Sequence, residues 1–193
     1  MPPLPCIELG QQQQRKLLEI SRRSIEQGFV THAPLRLELA DFGTELREPA
    51  AVFVTLTETG ELRGCIGSLQ VGDALVQAVA NAAYSSAFRD YRFQALRQGQ
   101  LEGIRIEISV LSPLQRLHPD SRDSLLQSLR PEVDGLVIED HGKRATFLPE
   151  VWNKVDSPEA FLDQLLLKAG LGSGHWSDSI CVERYRTLTF ADN

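Results

Sequence analysis

The sequence has few cysteines and no long apolar run, and each shortage disfavours a class of protein. Its three cysteines, Cys6, Cys65 and Cys181, are odd in number and far apart, unlike the dense disulfide framework of a small secreted domain. No stretch approaches the roughly 18 consecutive apolar residues of a membrane-spanning helix, because even residues 74–83 are interrupted by polar side chains. We therefore expect three reduced thiols and no integral membrane protein.

Basic residues are also too few for a long electrostatic contact with nucleic acid. The 193 residues carry 20 Lys and Arg against 26 Asp and Glu, a net charge of −6. Non-specific binding of nucleic acid depends on neutralising phosphates, so this balance disfavours it. Residues 1–6 contain neither the basic nor the hydrophobic region of a secretion signal, which predicts a cytoplasmic protein.

The spacing of apolar residues predicts helices packed on mainly antiparallel sheets. Hairpin patterns outnumber βαβ patterns, so the predicted fold class is α/β of the α+β type. One predicted helix ends at Gly28 in a left-handed cap, another begins at Asp73, and a third begins at Ser157-Pro158. The predicted helices cover residues 9–27, 73–87 and 158–169, and the predicted strands cover residues 51–57, 61–69, 104–110, 135–139, 144–148 and 180–190.

The best candidate site is the run Leu62-Arg63-Gly64-Cys65-Ile66-Gly67, called here the Cys65 segment. In a regular strand Arg63, Cys65 and Gly67 share one face, where the guanidinium would stabilise a thiolate. Gly67 would leave open space beside the sulfur. Glycines at these positions also allow another backbone or a ligand to approach closely. This pattern favours an accessible, activated thiol.

The alternative is that Cys65 is a small buried hydrophobic residue and that the glycines permit a bulge or tight packing. A nucleophile also needs a base within hydrogen-bond reach. The candidate bases among the histidines, all distant in sequence, are His32, His118, His141 and His175. The spacing of the cysteines does not predict a metal site, and no cofactor motif is present. The sequence therefore does not identify a cofactor.

The Cys65 segment resembles the signature of the AMMECR domain family, in particular its prokaryotic branch, the AmmeMemoRadiSam system protein A. Family members usually carry prolines around the Arg-Phe pair, where this chain has Tyr91 and Gln94-Ala95. The resemblance covers nearly the whole chain. Its further matches are residues 52–56, 81–84, Asp90, Arg92, Phe93, and residues 107–112, 145–151 and 168–170.

This resemblance implies a single AMMECR-type domain over residues 1–193, made of two unequal subdomains with the boundaries left open. Each subdomain would be an antiparallel sheet with packed helices, the termini would lie in the larger one, and the Cys65 segment would face a cleft between them. Its implied partners are a radical SAM protein and a Memo-like protein. The implied site residues are Arg63, Gly64, Cys65, Ile66 and Gly67, with Asp90, Arg92 and Phe93 as additions.

Two functions are compatible with these residues. In one, the protein is an enzyme or enzyme component that acts on a protein or small metabolite through Cys65, with Arg63 holding an anionic group or stabilising the thiolate. In the other, it is a non-catalytic adaptor that offers the same segment to a protein partner. Asp90 and Arg92 would equally suit a structural ion pair, and Phe93 would suit core packing. A base near the sulfur would distinguish the two functions.

Overall fold

The computed structural model describes residues 8–192, and these residues form two units, each built on a four-stranded sheet. The larger unit comprises residues 8–111 and 188–192, and the smaller one comprises Ser112–Thr187. The expectations for Cys6 and for the N-terminal residues lie outside the described part of the chain. The predicted class is confirmed, since the strand pairs in both sheets are antiparallel.

The helices are α1 (Gln11–Thr31), α2 (Thr44–Arg47), α3 (Leu75–Phe88), α4 (Arg122–Ser128) and α5 (Pro158–Lys168), with short 3₁₀ helices at Leu39–Asp41, Gln98–Gly103 and Pro149–Lys154. The strands are β1 (Ala51–Glu58), β2 (Glu61–Gly67), β3 (Ile104–Leu111), β4 (Gln115–Leu117), β5 (Gly135–Asp140), β6 (Lys143–Phe147), β7 (Cys181–Tyr185) and β8 (Thr187–Ala191). Within residues 8–192, no helix has the length and apolar character needed to cross a membrane.

The sheet of the larger unit has the strand order β2-β1-β3-β8, so β2 is an edge strand. Helices α1 and α3 pack together and cover one face of this sheet. On that face Val54 of β1 and Ile106 and Ile108 of β3 are fully buried. Alternate residues of each strand face the opposite side, away from the two helices. The fold therefore places the Cys65 segment on an edge strand.

The predicted hairpin of β1 and β2 is confirmed. Its two-residue turn has Thr59 at φ 52° and Gly60 at φ 87°, both in the left-handed region. Such a turn matches the right-handed twist of the flanking strands, and glycine occupies it without strain. The predicted burial of Val52, Val54 and Leu56 is also confirmed, because all three side chains are buried on the helix-covered face.

The prediction that the first helix ends at Gly28 is wrong. Helix α1 continues to Thr31, and the left-handed cap is His32 at φ 55°. Gly28 instead allows two rings to lie against the helix, because a Cβ there would be 2.5 Å from the Phe88 ring and 2.8 Å from the Tyr84 ring. A glycine near the end of a helical pattern can serve close packing as well as termination.

Further boundaries differ from the prediction, and β2 ends at Gly67 rather than at residue 69. The N-cap of α3 is Ala74 rather than Asp73, and the Asp73 carboxylate accepts a hydrogen bond from Asn81 at 2.9 Å. The predicted final strand, residues 180–190, is two strands, β7 and β8, which belong to different sheets. The change of sheet is the reason that one apolar pattern contains two strands.

The smaller unit has the sheet order β4-β7-β5-β6 and a core beneath α4 and α5. The predicted β5–β6 hairpin is confirmed, with His141 at φ 50° and Gly142 at φ 74° in its turn. The predicted start of α5 is also confirmed, because the Ser157 hydroxyl accepts the N–H of Ala160. The hairpin and α5 therefore follow the sequence pattern, whereas β4 and α4 were not predicted.

Candidate functional site

A β-bulge at Arg63 determines which way Cys65 faces. The register of β1 against β2 shifts by one residue there, which leaves Arg63 out of the pairing. Uninterrupted pairing from the turn would place Cys65 opposite the fully buried Val54, but the bulge places it opposite Thr55. Cys65 therefore lies on the sheet face away from α1 and α3, and it is half-buried rather than buried.

The hydrogen-bond partner of the Cys65 sulfur is a hydroxyl group. Thr55 Oγ1 donates to Cys65 Sγ at 3.3 Å. The next residue across the sheet is Glu107, whose carboxylate lies 3.4 Å from Arg105. The backbones of Cys65 and Glu107 are two strand spacings, about 10 Å, apart. In the described chain, neither histidine nor carboxylate hydrogen-bonds the sulfur.

In the smaller unit the buried carboxylate of Asp140 contacts two of the candidate histidines, His175 by a hydrogen bond and His141 at 3.7 Å. It accepts hydrogen bonds from His175 Nε2 at 2.6 Å, Ser177 Oγ at 2.8 Å and Ser179 Oγ at 2.7 Å. Hydrogen bonds from Ser179 and His175 hold the pKa of the Asp140 carboxyl well below its usual range. Each donor contacts the carboxylate directly, so the group lacks the serine-to-histidine bond of an acyl-transfer triad. It anchors a loop to the β5–β6 turn.

Two side chains hold both main-chain groups of Cys65. Asp90 Oδ2 accepts the N–H of Cys65 at 2.9 Å, and Arg92 Nη2 donates to the carbonyl of Cys65 at 3.0 Å. The two side chains also pair with each other at 2.6 Å. Because the outer side of an edge strand presents unpaired groups, this Asp90–Arg92 clamp takes the place of a neighbouring strand at Cys65.

The clamp is a strongly coupled ion pair with one buried member. The Asp90 side chain is 1% exposed, and hydrogen bonds from Arg92 and from the backbone of Cys65 lower the pKa of its carboxyl to about 2. The hydrogen bond to Asp90 raises the pKa of Arg92. The Phe93 ring lies 5.4 Å from the Arg92 guanidinium carbon. The predicted proximity of Asp90 and Arg92 to Cys65 is thus confirmed.

Helix α3 holds the core side of the Cys65 segment. The Ser86 hydroxyl accepts the N–H of Ile66 at 2.9 Å and donates to the carbonyl of Val54 at 2.7 Å, so it bridges β2 and β1. A Cβ on Gly64 would lie 2.1 Å from the carbonyl oxygen of Ser86. The prediction that a glycine here admits another backbone is confirmed for Gly64.

The expected open space beside Gly67 is not present. A Cβ on Gly67 would lie 2.2 Å from the Val52 carbonyl oxygen and 2.5 Å from the ring of Phe53. Phe53 is the residue of β1 that pairs with Gly67, so the ring lies over its own strand partner. Gly67 therefore serves packing of the hairpin rather than access to the sulfur.

Arg63 contacts different groups from those expected. Its Nη1 donates to the carbonyl of Gln94 at 2.6 Å, and its Nε lies 3.9 Å from the carboxylate of Glu58. The bulge removes the alternation that would have placed Arg63 on the face of Cys65. The guanidinium that hydrogen-bonds Cys65 is that of Arg92. Arg63 instead ties β2 to the loop that follows α3.

Sequence reasoning missed Thr55 and Ser86, which contact the Cys65 segment directly. A signal for Ser86 existed, because it is the polar residue on a buried, alanine-rich face of α3 that includes Ala83 and Ala87. Thr55 had no such signal. Regular counting across the turn would have paired Cys65 with Val54, and only the bulge moves Thr55 into that position.

Comparisons with known proteins agree with this architecture. Residues 18–190 match the family model AMMECR1. A protein of Methanothermobacter thermautotrophicus is 36% identical over 84% of this chain and 85% of its own length. A protein of Aeropyrum pernix is 33% identical over 99% of this chain and 84% of its own length. The crystal structure of the uncharacterized protein PH0010 from Pyrococcus horikoshii superposes with a TM-score of 0.85 at 28% identity, covering 92% of this chain and 90% of that one.

Proposed function

The chain belongs to the AMMECR1 family, and from this premise we propose that it is a non-catalytic adaptor that presents the Cys65 segment to a protein partner. By resemblance to the family's prokaryotic branch, the partner is a radical SAM or a Memo-like protein. The observation that carries the proposal is the Asp90–Arg92 clamp, which fixes both main-chain groups of Cys65. A segment already held in one conformation loses little entropy on binding.

The surroundings of the sulfur support a binding role over a catalytic one. The Thr55 hydroxyl is a weak base, whereas a thiol nucleophile needs a histidine, a carboxylate or a strongly stabilised thiolate. Cys65 then contributes a small, half-buried contact surface beside Thr55. The proposal places the interaction in the cytoplasm, where Cys65 and Cys181, both free thiols, would stay reduced.

Binding to purified partners tests the adaptor. The radical SAM and Memo-like proteins encoded by the same organism would be immobilised in turn, and the dissociation constant measured by biolayer interferometry. We expect Cys65→Phe to weaken binding of at least one of them about tenfold, because the added ring occupies the contact surface. Cys65→Ser should stay within about twofold of wild type, since it preserves size without the thiol.

The matched control is Val30→Phe, which adds similar bulk at a position of α1 that is 79% exposed. Urea unfolding of each variant would establish that the fold is intact. If neither protein binds, or if Cys65→Phe binds as tightly as wild type, the adaptor function is wrong. Loss of binding in Cys65→Ser equal to that in Cys65→Phe would show that the thiol itself is required.

A thiol nucleophile is the second candidate, and the position of Arg92 favours it. The guanidinium of Arg92 hydrogen-bonds the carbonyl of Cys65 at 3.0 Å, which places a cation close to this residue. A nearby cation stabilises a thiolate. In this function Arg92 takes the part that the sequence had suggested for Arg63.

Alkylation by iodoacetamide at pH 8, followed by mass spectrometry of each cysteine, tests this candidate. Burial raises the pKa of the Cys181 thiol, so we expect Cys181 to react more slowly than Cys65 in the folded protein. Arg92→Gln should slow Cys65 about threefold or more, whereas Arg63→Ala should change it less than about twofold. Equal effects of the two substitutions would contradict the assignment to Arg92.

A further inference from the structure

Residues 89–97, called here the arginine loop, present an aromatic ring to solvent beside the Cys65 segment. Tyr91 is 94% exposed, although both of its neighbours, Asp90 and Arg92, contact the main chain of Cys65. Large exposed aromatic side chains on a fixed backbone are typical anchors of protein interfaces. The position of Tyr91 thus indicates a contact surface that adjoins the candidate site.

The loop is held in place by hydrogen bonds at several points along its length. The N–H of Phe93 donates to the carbonyl of Asp90 at 3.1 Å, and the N–H of Leu96 donates to the carbonyl of Ala87 at 2.8 Å. Arg63 donates to the carbonyl of Gln94 at 2.6 Å. Because the backbone is fixed, exposure of Tyr91 is a property of the folded loop.

The loop is basic in a chain that is acidic overall. It contains Arg89, Arg92 and Arg97 and one carboxylate, Asp90, which gives three positive charges less one negative charge, or +2, against −6 for the chain. Arg89 and Arg97 are exposed, and the Arg92 side chain is 45% exposed. The one carboxylate is buried in the clamp and faces inward. Because the charge of Asp90 offsets that of Arg92 within the clamp, the excess positive charge of the loop lies on the exposed Arg89 and Arg97.

We propose that the arginine loop binds an acidic segment of a partner protein, with Tyr91 packing against its apolar atoms and Arg89 pairing with its carboxylates. The inference rests on the proposed adaptor function and specifies the chemistry of its partner. Tyrosine and arginine dominate the energetics of protein interfaces, and arginine pairs well with carboxylates. Nucleic acid is the weaker candidate, because the −6 charge of the chain repels a long polyanion.

A defined peptide tests the surface without knowledge of the natural partner. The probe is a fluorescein-labelled decapeptide of alternating glutamate and leucine, and its binding is followed by fluorescence anisotropy. Wild-type protein should bind it, more weakly as salt rises. Arg89→Glu and Tyr91→Ala should each weaken binding about tenfold. The controls Arg15→Glu and Val30→Ala make matched changes at exposed positions of α1 and should have effects below about twofold.

Other ligands of the arginine loop would give different results in these binding experiments. A decapeptide of alternating lysine and leucine should not bind, and binding equal to that of the glutamate peptide would overturn the inference. Tighter binding of a labelled single-stranded oligouridine would overturn it in favour of nucleic acid. A Tyr91-dependent dimer in sedimentation velocity, without peptide binding, would overturn it in favour of a second copy of this chain.

The test separates this inference from the adaptor function. If the glutamate peptide does not bind but the partner proteins bind in a Cys65-dependent manner, the proposed role of the arginine loop is wrong and the adaptor function stands. If the peptide binds through Tyr91 and Arg89 while neither partner protein binds, the acidic-segment surface stands and the proposed adaptor function is wrong.

Discussion

Replacing Gly64 with alanine is expected to lower the free energy of unfolding by about 3 kcal/mol or more. A Cβ at this position would lie 2.1 Å from the carbonyl oxygen of Ser86, a backbone atom of α3. The helix cannot yield locally, because the Ser86 hydroxyl bridges Ile66 and Val54 on the two strands of the hairpin. Relieving the clash moves α3 away from the sheet and loses both hydrogen bonds.

The measurement is urea unfolding at neutral pH, in which the midpoint should fall while the slope stays near that of wild type. Gly99→Ala is the matched control, since an added Cβ there meets no atom within 4 Å and the residue has no positive φ. It should change the free energy of unfolding by less than about 1 kcal/mol. A Gly64→Ala protein as stable as the control would mean that α3 does not pack against β2 as described.

The β1–β2 hairpin, which makes this close approach, has features that the sequence could predict and one that it could not. The alternation of Val52, Val54 and Leu56 and the turn at Gly60 predicted the hairpin correctly, because both signals are local. The bulge at Arg63 could not be predicted. One extra residue on an edge strand leaves the alternation of β1 unchanged, and its effect is visible only in the register between the strands.

Helix ends that depend on tertiary contacts could also not be predicted from the sequence. Gly28 has the sequence context of a helix end, but its small size admits the rings of Tyr84 and Phe88, which come from a helix far along the chain. The break between β7 and β8 at Arg186 is not marked by glycine or proline. Local signals in the sequence therefore misplaced the end of α1 and the start of α3 and did not mark the end of β7.

Some residues of the candidate site could likewise be identified from the sequence, and others required the structure. The glycines and the thiol of the Cys65 segment could be identified from the residues themselves. The link to Asp90 and Arg92, about 25 residues away, came from family resemblance, since spacing cannot show which loop meets an edge strand. The exchange of Arg63 for Arg92 beside Cys65 required the structure, because it follows from the bulge.

Asp90→Asn is expected to cost about 2–3 kcal/mol of folding free energy at pH 7. The substitution removes the charge that pairs with Arg92 and weakens the acceptor for the N–H of Cys65. The Arg92 side chain is 45% exposed, so water replaces part of the attraction that it loses. The Asp90 side chain is 1% exposed, and its lost hydrogen bonds account for most of the cost.

The pH dependence of this difference has a definite sign. The pKa of Asp90 is about 2 in the folded protein, below the ordinary value of 3.8 that applies to the unfolded chain. A depressed carboxyl pKa stabilises the fold above the unfolded value, and this stabilisation is lost as pH falls toward the folded value. The difference between wild type and Asp90→Asn should therefore shrink to about 1 kcal/mol at pH 3.

Paired urea titrations of the two proteins at pH 7 and pH 3 would measure this change, and hydrogen exchange would locate it. The amide of Cys65 should exchange faster in Asp90→Asn, because its acceptor is weakened, while the amide of Ile66 should keep the protection that Ser86 provides. Asp178→Asn, at an exposed position of the smaller unit, is the matched control. A difference that grows toward pH 3, or unchanged exchange at Cys65, would contradict the clamp and remove the main support for a preorganised Cys65 segment.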